Sequence, residues 1–153
     1  MRHLVVRHGQ AGRRGSTGGD DLLRVLTDDG KAEAHALVAQ HSSSNSTAVW
    51  SSRAVRCVET VAPLAAALGL EVRITPHLLA EADPAQLLGW LLALDSPVVV
   101  CSHGELIGGL MALLDQQGLP LDAAAAWPKG STWELQIDHA AVTRARFTPP
   151  PAV

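Results

Sequence analysis

Two tripeptides, Arg7-His8-Gly9 and Ser102-His103-Gly104, stand where the apolar runs Leu4-Val5-Val6 and Val98-Val99-Val100-Cys101 stop. A buried strand that ends this way delivers an imidazole to its carboxyl end, where open α/β sheets bind their ligands. A neutral imidazole is a nucleophile and proton carrier near neutral pH. A guanidinium binds oxyanions through its fixed fork of donors. Two such strands predict one site built from both, a phosphoryl-transfer centre with a histidine nucleophile. A third element, Ser52-x-x-x-Arg56, reads as a serine at a strand end with an arginine in the first turn of the next helix. Helix amides and the guanidinium then face the same anion. Each element taken singly has an ordinary alternative: a solvated surface arginine at 56, a hydrogen-bonded core histidine at 103.

The elements that must position these residues follow from the local pattern. After the first strand, residues 10–21 are rich in glycine and charge and read as a loop. That loop is either a solvated connector or a basic lip, carried by Arg13 and Arg14, over an anionic substrate. Gly9 permits close backbone approach beside it. Thr27 followed by Asp28 and Asp29 predicts a helix start with a hydroxyl cap and acids at the positive dipole end. Ala34, Leu37, Val38 and His41 then form a stripe at helical spacing. Ala48-Val49-Trp50 predicts a short strand. A helix is expected over about 53–68 with Ala54, Val58, Val61, Ala62, Ala65 and Leu68 inward, kinked or broken at Pro63 and ended by Gly69. Residues 71–75 alternate as a strand. Asp83-Pro84-Ala85-Gln86 opens another helix, with Leu87, Leu88, Leu91 and Leu92 as its apolar face. A helix from Gly104 to about Gln117 and a hairpin over 133–137 and 142–147 complete the pattern. The Pro149-Pro150-Pro151 tail, 149–153, is expected to fray. Strand–helix alternation predicts a three-layer α/β/α sandwich with a mostly parallel sheet and an antiparallel C-terminal hairpin, in a single domain over 1–148.

Composition narrows the partners. The chain has 153 residues, 47% hydrophobic and 18% charged, with a formal net charge of −3. That is enough for one core, and the charge argues against nucleic acid or an anionic membrane surface as partner. Only five aromatic side chains, Trp50, Trp90, Trp127, Trp133 and Phe147, leave little for a base-stacking platform. The longest apolar run, 87–94, is too short to span a bilayer. With two cysteines in no Cys-x-x-Cys arrangement and no signal-peptide pattern at residue 1, a cytoplasmic location is expected.

Taken in order, Leu4-Val5-Val6-Arg7-His8-Gly9-Gln10-Ala11, Leu26-Thr27-Asp28-Asp29-Gly30, Ser51-Ser52-Arg53-Ala54-Val55-Arg56-Cys57-Val58-Glu59-Thr60 and Val99-Val100-Cys101-Ser102-His103-Gly104 resemble the histidine phosphatase (phosphoglycerate-mutase-like) superfamily over about residues 2–115. The resemblance implies transfer through a phosphohistidine on His8, with Arg7, Arg56 and His103 around the transferring oxygens. It requires neither metal nor cofactor. It also implies Glu81, in Leu78-Leu79-Ala80-Glu81, as the proton donor to the leaving group, and Arg24 as a phosphate or substrate contact. Gly9, Arg13, Arg24, Ser52 and Gly104 are expected around the substrate.

The short chain and the minimal Glu81-to-Asp83 connection depart from the mutase branch. They are similar to SixA-like protein phosphohistidine phosphatases, and, with Lys129-Gly130-Ser131-Thr132-Trp133, to phosphatase domains appended to some Nudix hydrolases. The implied partner is a phosphorylated small molecule, a nucleotide or a phosphohistidine protein. A non-catalytic phosphate-binding module is the alternative from another class, though binding alone needs no nucleophile. Rival chemistries lack their motifs: neither cysteine opens a Cys-x5-Arg loop, Ser102 stands in no Gly-x-Ser-x-Gly, and His-Glu-x-x-His is absent. His103-x-Glu105 is not followed by the cysteine pair of a zinc deaminase.

Overall fold

The computed structural model describes residues 1–122 and 126–153. Six strands form one sheet in the order β3-β2-β4-β1-β5-β6: β1 (Arg2–Arg7), β2 (Ala48–Ser51), β3 (Val72–Ile74), β4 (Val98–Ser102), β5 (Thr132–Asp138) and β6 (Ala141–Thr148). The first four run parallel, β5 is antiparallel to β1, and β5 and β6 make the expected hairpin. Its tight turn places His139 and Ala140 at positive φ.

Alternation along the buried strands divides the core into two layers. Leu4, Val6, Val99 and Cys101 face one side of the sheet and pack with residues of α1 (Asp28–His41) and α2 (Val55–Ala67). Val5, Val98 and Val100 face the other side, against α3 (Pro84–Ala93) and α4 (Gly104–Gln116). Because successive strand residues point to opposite faces, a fully apolar run covered on both sides is what a central parallel strand requires. The three-layer sandwich read from the sequence is therefore the fold. No helix among the described residues is long and apolar enough to cross a membrane.

The predicted caps are in place. Thr27 accepts from the amide of Gly30 at the start of α1, and Asp83 accepts from that of Ala85 at the start of α3. Gly69 has φ +72° after α2, the left-handed position that closes a helix.

Two expectations are corrected. The first concerns α2, which is not broken at Pro63 but continues through it. Burial of Val61, Leu64 and Ala65 against the sheet offsets the roughly 3 kcal/mol that an interior proline costs. The inward face of the same helix is Arg56, Cys57, Thr60, Val61, Leu64 and Ala65, with Ala62 exposed. The phase is set by polar residues at the site end, which an apolar count ignores. In the C-terminal segment Pro150 and Pro151 are half-buried, and Pro150 lies near Gly130.

Candidate active site

Register places the site. Arg7 of β1 stands opposite Ser102 of β4, and Ser51 of β2 opposite Cys101. The next residues, His8, His103 and Ser52, therefore leave three adjacent strands at the same carboxyl edge. The amide of His8 still donates to the carbonyl of Ser102 at 3.1 Å, which ties the two histidine segments together. The His8 and His103 rings stand edge to face, with centroids 5.7 Å apart and planes at 67°. They line one cavity of about 380 Å³ with Arg7, Arg56, Arg24 and Arg13. Both tripeptides thus open onto the same cavity.

Hydrogen bonds fix how each imidazole is presented. The Nδ1 of His8 lies 2.8 Å from the carbonyl of Gly9, an acceptor only, so Nδ1 carries the proton and Nε2 keeps its lone pair. His8 is buried. Burial, followed by the positive charges of Arg56 and Arg7, pushes its pKa down to about 3 against the opposing Gly9 bond. His8 is thus a neutral base and nucleophile at any physiological pH.

The second histidine is held from both sides. Arg56 donates from Nη2 to Nδ1 of His103 at 3.2 Å, and Nε2 then donates to Ser52 Oγ at 2.9 Å. Cys57 Sγ lies 3.7 Å from the same Nε2.

The guanidinium groups are prearranged. Arg7 donates to the carbonyl of Trp127 at 2.9 Å. Arg56 donates to the Asp21 carbonyl and carboxylate at 2.8 and 3.0 Å. Arg24 bonds the same carboxylate at 2.7 Å and the Gly12 carbonyl at 2.8 Å. Arg24 and Arg56 hold the Asp21 carboxyl below the usual carboxylate range. Among the described residues the buried Nε atoms of Arg7 and Arg56 find no hydrogen-bond partner. A buried donor unpaired in the free protein fits a site whose occupant is an oxyanion.

The other expected residues play different parts. Ser52 is buried and its hydroxyl orients the His103 ring. The amide of Gly9 donates to Thr60 Oγ1 at 3.0 Å, which locks the turn behind His8. Gly104 makes room for Arg7: a Cβ there would come within 2.8 Å of the Arg7 Cζ. Glu81 is exposed and is not among the residues lining the cavity.

The cavity wall adds residues that the sequence did not single out as site residues. Arg14, already read as part of the basic lip, and Lys129 line it as cations. Glu105, in the first turn of α4, is the one carboxylate in the lining among the described residues. Asp21, which braces two arginines, carried no signal beyond being acidic. The remaining buried histidines serve the fold: His3 is bonded to the Leu91 carbonyl and the Val98 amide, and His41 to Thr132 Oγ1. Among the described residues no group of three or more potential metal ligands gathers.

Comparison with known proteins places this arrangement. Residues 3–90 match the model of the histidine phosphatase superfamily (branch 1). The 8-oxo-(d)GTP phosphatase of Mycolicibacterium smegmatis is 34% identical over 154 residues, covering 97% of this chain and 48% of that protein. The chain thus spans about half the length of that curated relative. The structure of the protein histidine phosphatase SixA complexed with tungstate superposes with a TM-score of 0.77 at 22% identity, over 97% of this chain and 94% of that one. The mycobacterial glucosyl-3-phosphoglycerate phosphatase superposes at 0.69 with 22% identity, over 95% and 96% of the two chains. These likenesses share the fold, and the match to the family model, which covers more than half of the chain, shows that the chain belongs to the histidine phosphatase superfamily, branch 1.

Proposed function

We propose that this protein is a phosphatase that transfers a phosphoryl group to Nε2 of His8 and then to water. The observation that carries this reading is the fixed tautomer of His8. With Nδ1–H committed to the Gly9 carbonyl, the ring offers Nε2 as an unprotonated nucleophile. In the first step the Nε2–phosphorus bond forms and the bond to the leaving oxygen breaks. The positive charge that develops on the ring is stabilised by the Gly9 carbonyl. Arg7 and Arg56 balance charge on the transferring oxygens from positions set before substrate arrives, with His103 held beside them. In the second step water attacks phosphorus, the Nε2–phosphorus bond breaks, and inorganic phosphate leaves.

The cationic lip favours phosphorylated small molecules and nucleotides over a phosphohistidine protein, since two exposed arginines beside a narrow cavity suit a small polyanion. Two buried free thiols suit a reducing compartment such as the cytoplasm. The test is phosphate release from an aryl phosphate with a chelator present. The reading expects full activity with chelator and none in His8→Ala. Turnover that vanishes on chelation, or survives in His8→Ala, overturns it.

A further inference from the structure

We propose that Cys57 and Cys101 form a modification site: hydrogen peroxide joins them in a disulfide that disarms His103 and Arg56, and a dithiol reverses it. The thiol chemistry is independent of the His8 reading, which supplies only the activity by which its consequence is seen.

Placement comes first. Cys57 stands in the first turn of α2 directly after Arg56, and Cys101 lies on β4 two residues before His103. Strand alternation turns Cys101 toward the α1 and α2 side of the sheet, where it packs in the same core layer as Cys57. Both thiols are free and fully buried. Cys57 Sγ lies 3.7 Å from Nε2 of His103, and His103 is itself part of the cavity wall. The sulfur is therefore one side chain behind the space open to solvent.

The surroundings divide the two thiols by reactivity. Burial pushes the Cys57 thiol up, but its hydrogen bonds with Cys101 and His103 and the positive charge of Arg56 outweigh burial and hold it below the usual thiol range. Burial and the neighbouring Cys57 sulfur push Cys101 well above that range. One sulfur is poised to be a thiolate while its neighbour keeps its proton. An attacking thiol beside a resolving thiol is the arrangement that closes a disulfide. Burial then selects the oxidant. A close-packed core has no room for glutathione or another bulky thiol at either sulfur, whereas hydrogen peroxide is uncharged and little larger than water.

The step balances. The Cys57 thiolate attacks one peroxide oxygen, the O–O bond breaks, and the departing hydroxide takes a proton to become water. The Cys101 sulfur then attacks the resulting sulfenic acid: the S–S bond forms, the S–O bond breaks, and hydroxide leaves with the Cys101 proton as a second water. Two thiols are oxidised by two electrons and one peroxide is reduced. The new bond draws the first turn of α2 onto β4. Arg56 precedes one sulfur and Ser102-His103 follows the other, so the pull falls on the Arg56–His103 bond of 3.2 Å and the Ser52–His103 bond of 2.9 Å.

The experiment treats reduced protein, freed of reductant, with hydrogen peroxide. It reads intact mass, peptide maps after alkylation in denaturant, and aryl phosphate turnover. Wild type is expected to lose two hydrogen atoms, to give a cross-link between the peptides of residues 57 and 101, and to fall at least tenfold in kcat/KM, all reversed by dithiothreitol. Cys101→Ala is expected to match reduced wild type in turnover and, after peroxide, to carry one oxygen on Cys57 that dimedone traps on unfolding. Cys57→Ala, compared with its own untreated rate, is expected to stay active in peroxide with Cys101 still a free thiol. The proposal is overturned if native wild type keeps both thiols at a peroxide concentration that oxidises them in the unfolded chain. It is equally overturned if the cross-linked protein turns over normally, if Cys101 is oxidised in Cys57→Ala, or if Cys57→Ala is inactivated as fast as wild type. Failure of the His8 reading looks different: the reduced protein turns over no aryl phosphate, or turnover persists in His8→Ala, while the mass readings still decide the fate of the thiols.

Discussion

Ser52 and His103 form a buried hydrogen bond of 2.9 Å between Oγ and Nε2, across 51 positions of sequence. Because Arg56 donates to the other ring nitrogen, Ser52 completes a chain that holds His103 in one tautomer and one orientation. Removing it leaves the buried Nε2–H with only the Cys57 sulfur at 3.7 Å, a weak acceptor at that distance, which costs roughly 1 kcal/mol or more. Ser52→Ala should therefore lower the unfolding free energy by about that amount. It should also lower kcat/KM roughly tenfold or more by misplacing the ring. The 15N shifts of His103 report the cause: a change of tautomer supports the account, and an unchanged ring with normal turnover contradicts it.

The pH behaviour of His8 follows from its environment. Its pKa stands at about 3 in the folded chain against an ordinary 6.5. Between those values the unfolded chain binds a proton at this position and the folded chain does not, so stability rises with pH there and is lost as pH falls from about 6.5 toward 3. The lowered pKa values of the buried His3 and His41 act in the same direction. NMR titration of the His8 ring should show no inflection near 6.5. Denaturant unfolding across pH 4–7 should be less pH-dependent in His8→Asn than in wild type.

Gly104 separates stability from activity. It begins α4, where alanine in place of glycine adds up to about 1 kcal/mol of helix propensity. The new Cβ would nevertheless meet Arg7 Cζ at 2.8 Å and push the guanidinium off its seat. Gly104→Ala should keep or raise Tm while kcat/KM falls at least tenfold. Arg7→Lys should be slowed as well, since an ammonium cannot replace the planar fork. Full activity in Gly104→Ala would show that Arg7 has slack.

The main frame of this site was legible because its two histidines sit at the ends of uninterrupted aliphatic strands, where period and burial leave little choice. The caps at Thr27 and Asp83 were equally direct, since a side-chain oxygen placed two or three residues ahead has one local job. What could not be read was long-range. Nothing near Ser52 says that its hydroxyl meets a ring from another strand, and nothing near Asp21 says that it braces Arg24 and Arg56. The inward face of α2 was misjudged at Val58 and Ala62 because Arg56 and Thr60 occupy it for the site's sake, against the hydrophobic count. Gly30 belongs to the same class: an added Cβ would run into the carbonyl oxygen of Gln10, a contact made by a loop whose path the sequence leaves open.

The central claim is that phosphorus bonds to Nε2 of His8. Rapid acid-free quenching of the protein during turnover of an aryl phosphate, followed by 31P NMR and peptide mapping, tests it directly. The account predicts an acid-labile phosphoramidate on Nε2 of His8 that is absent in His8→Ala. Phosphate on any other side chain, or steady turnover with no phosphorylated protein at any time point, would contradict it.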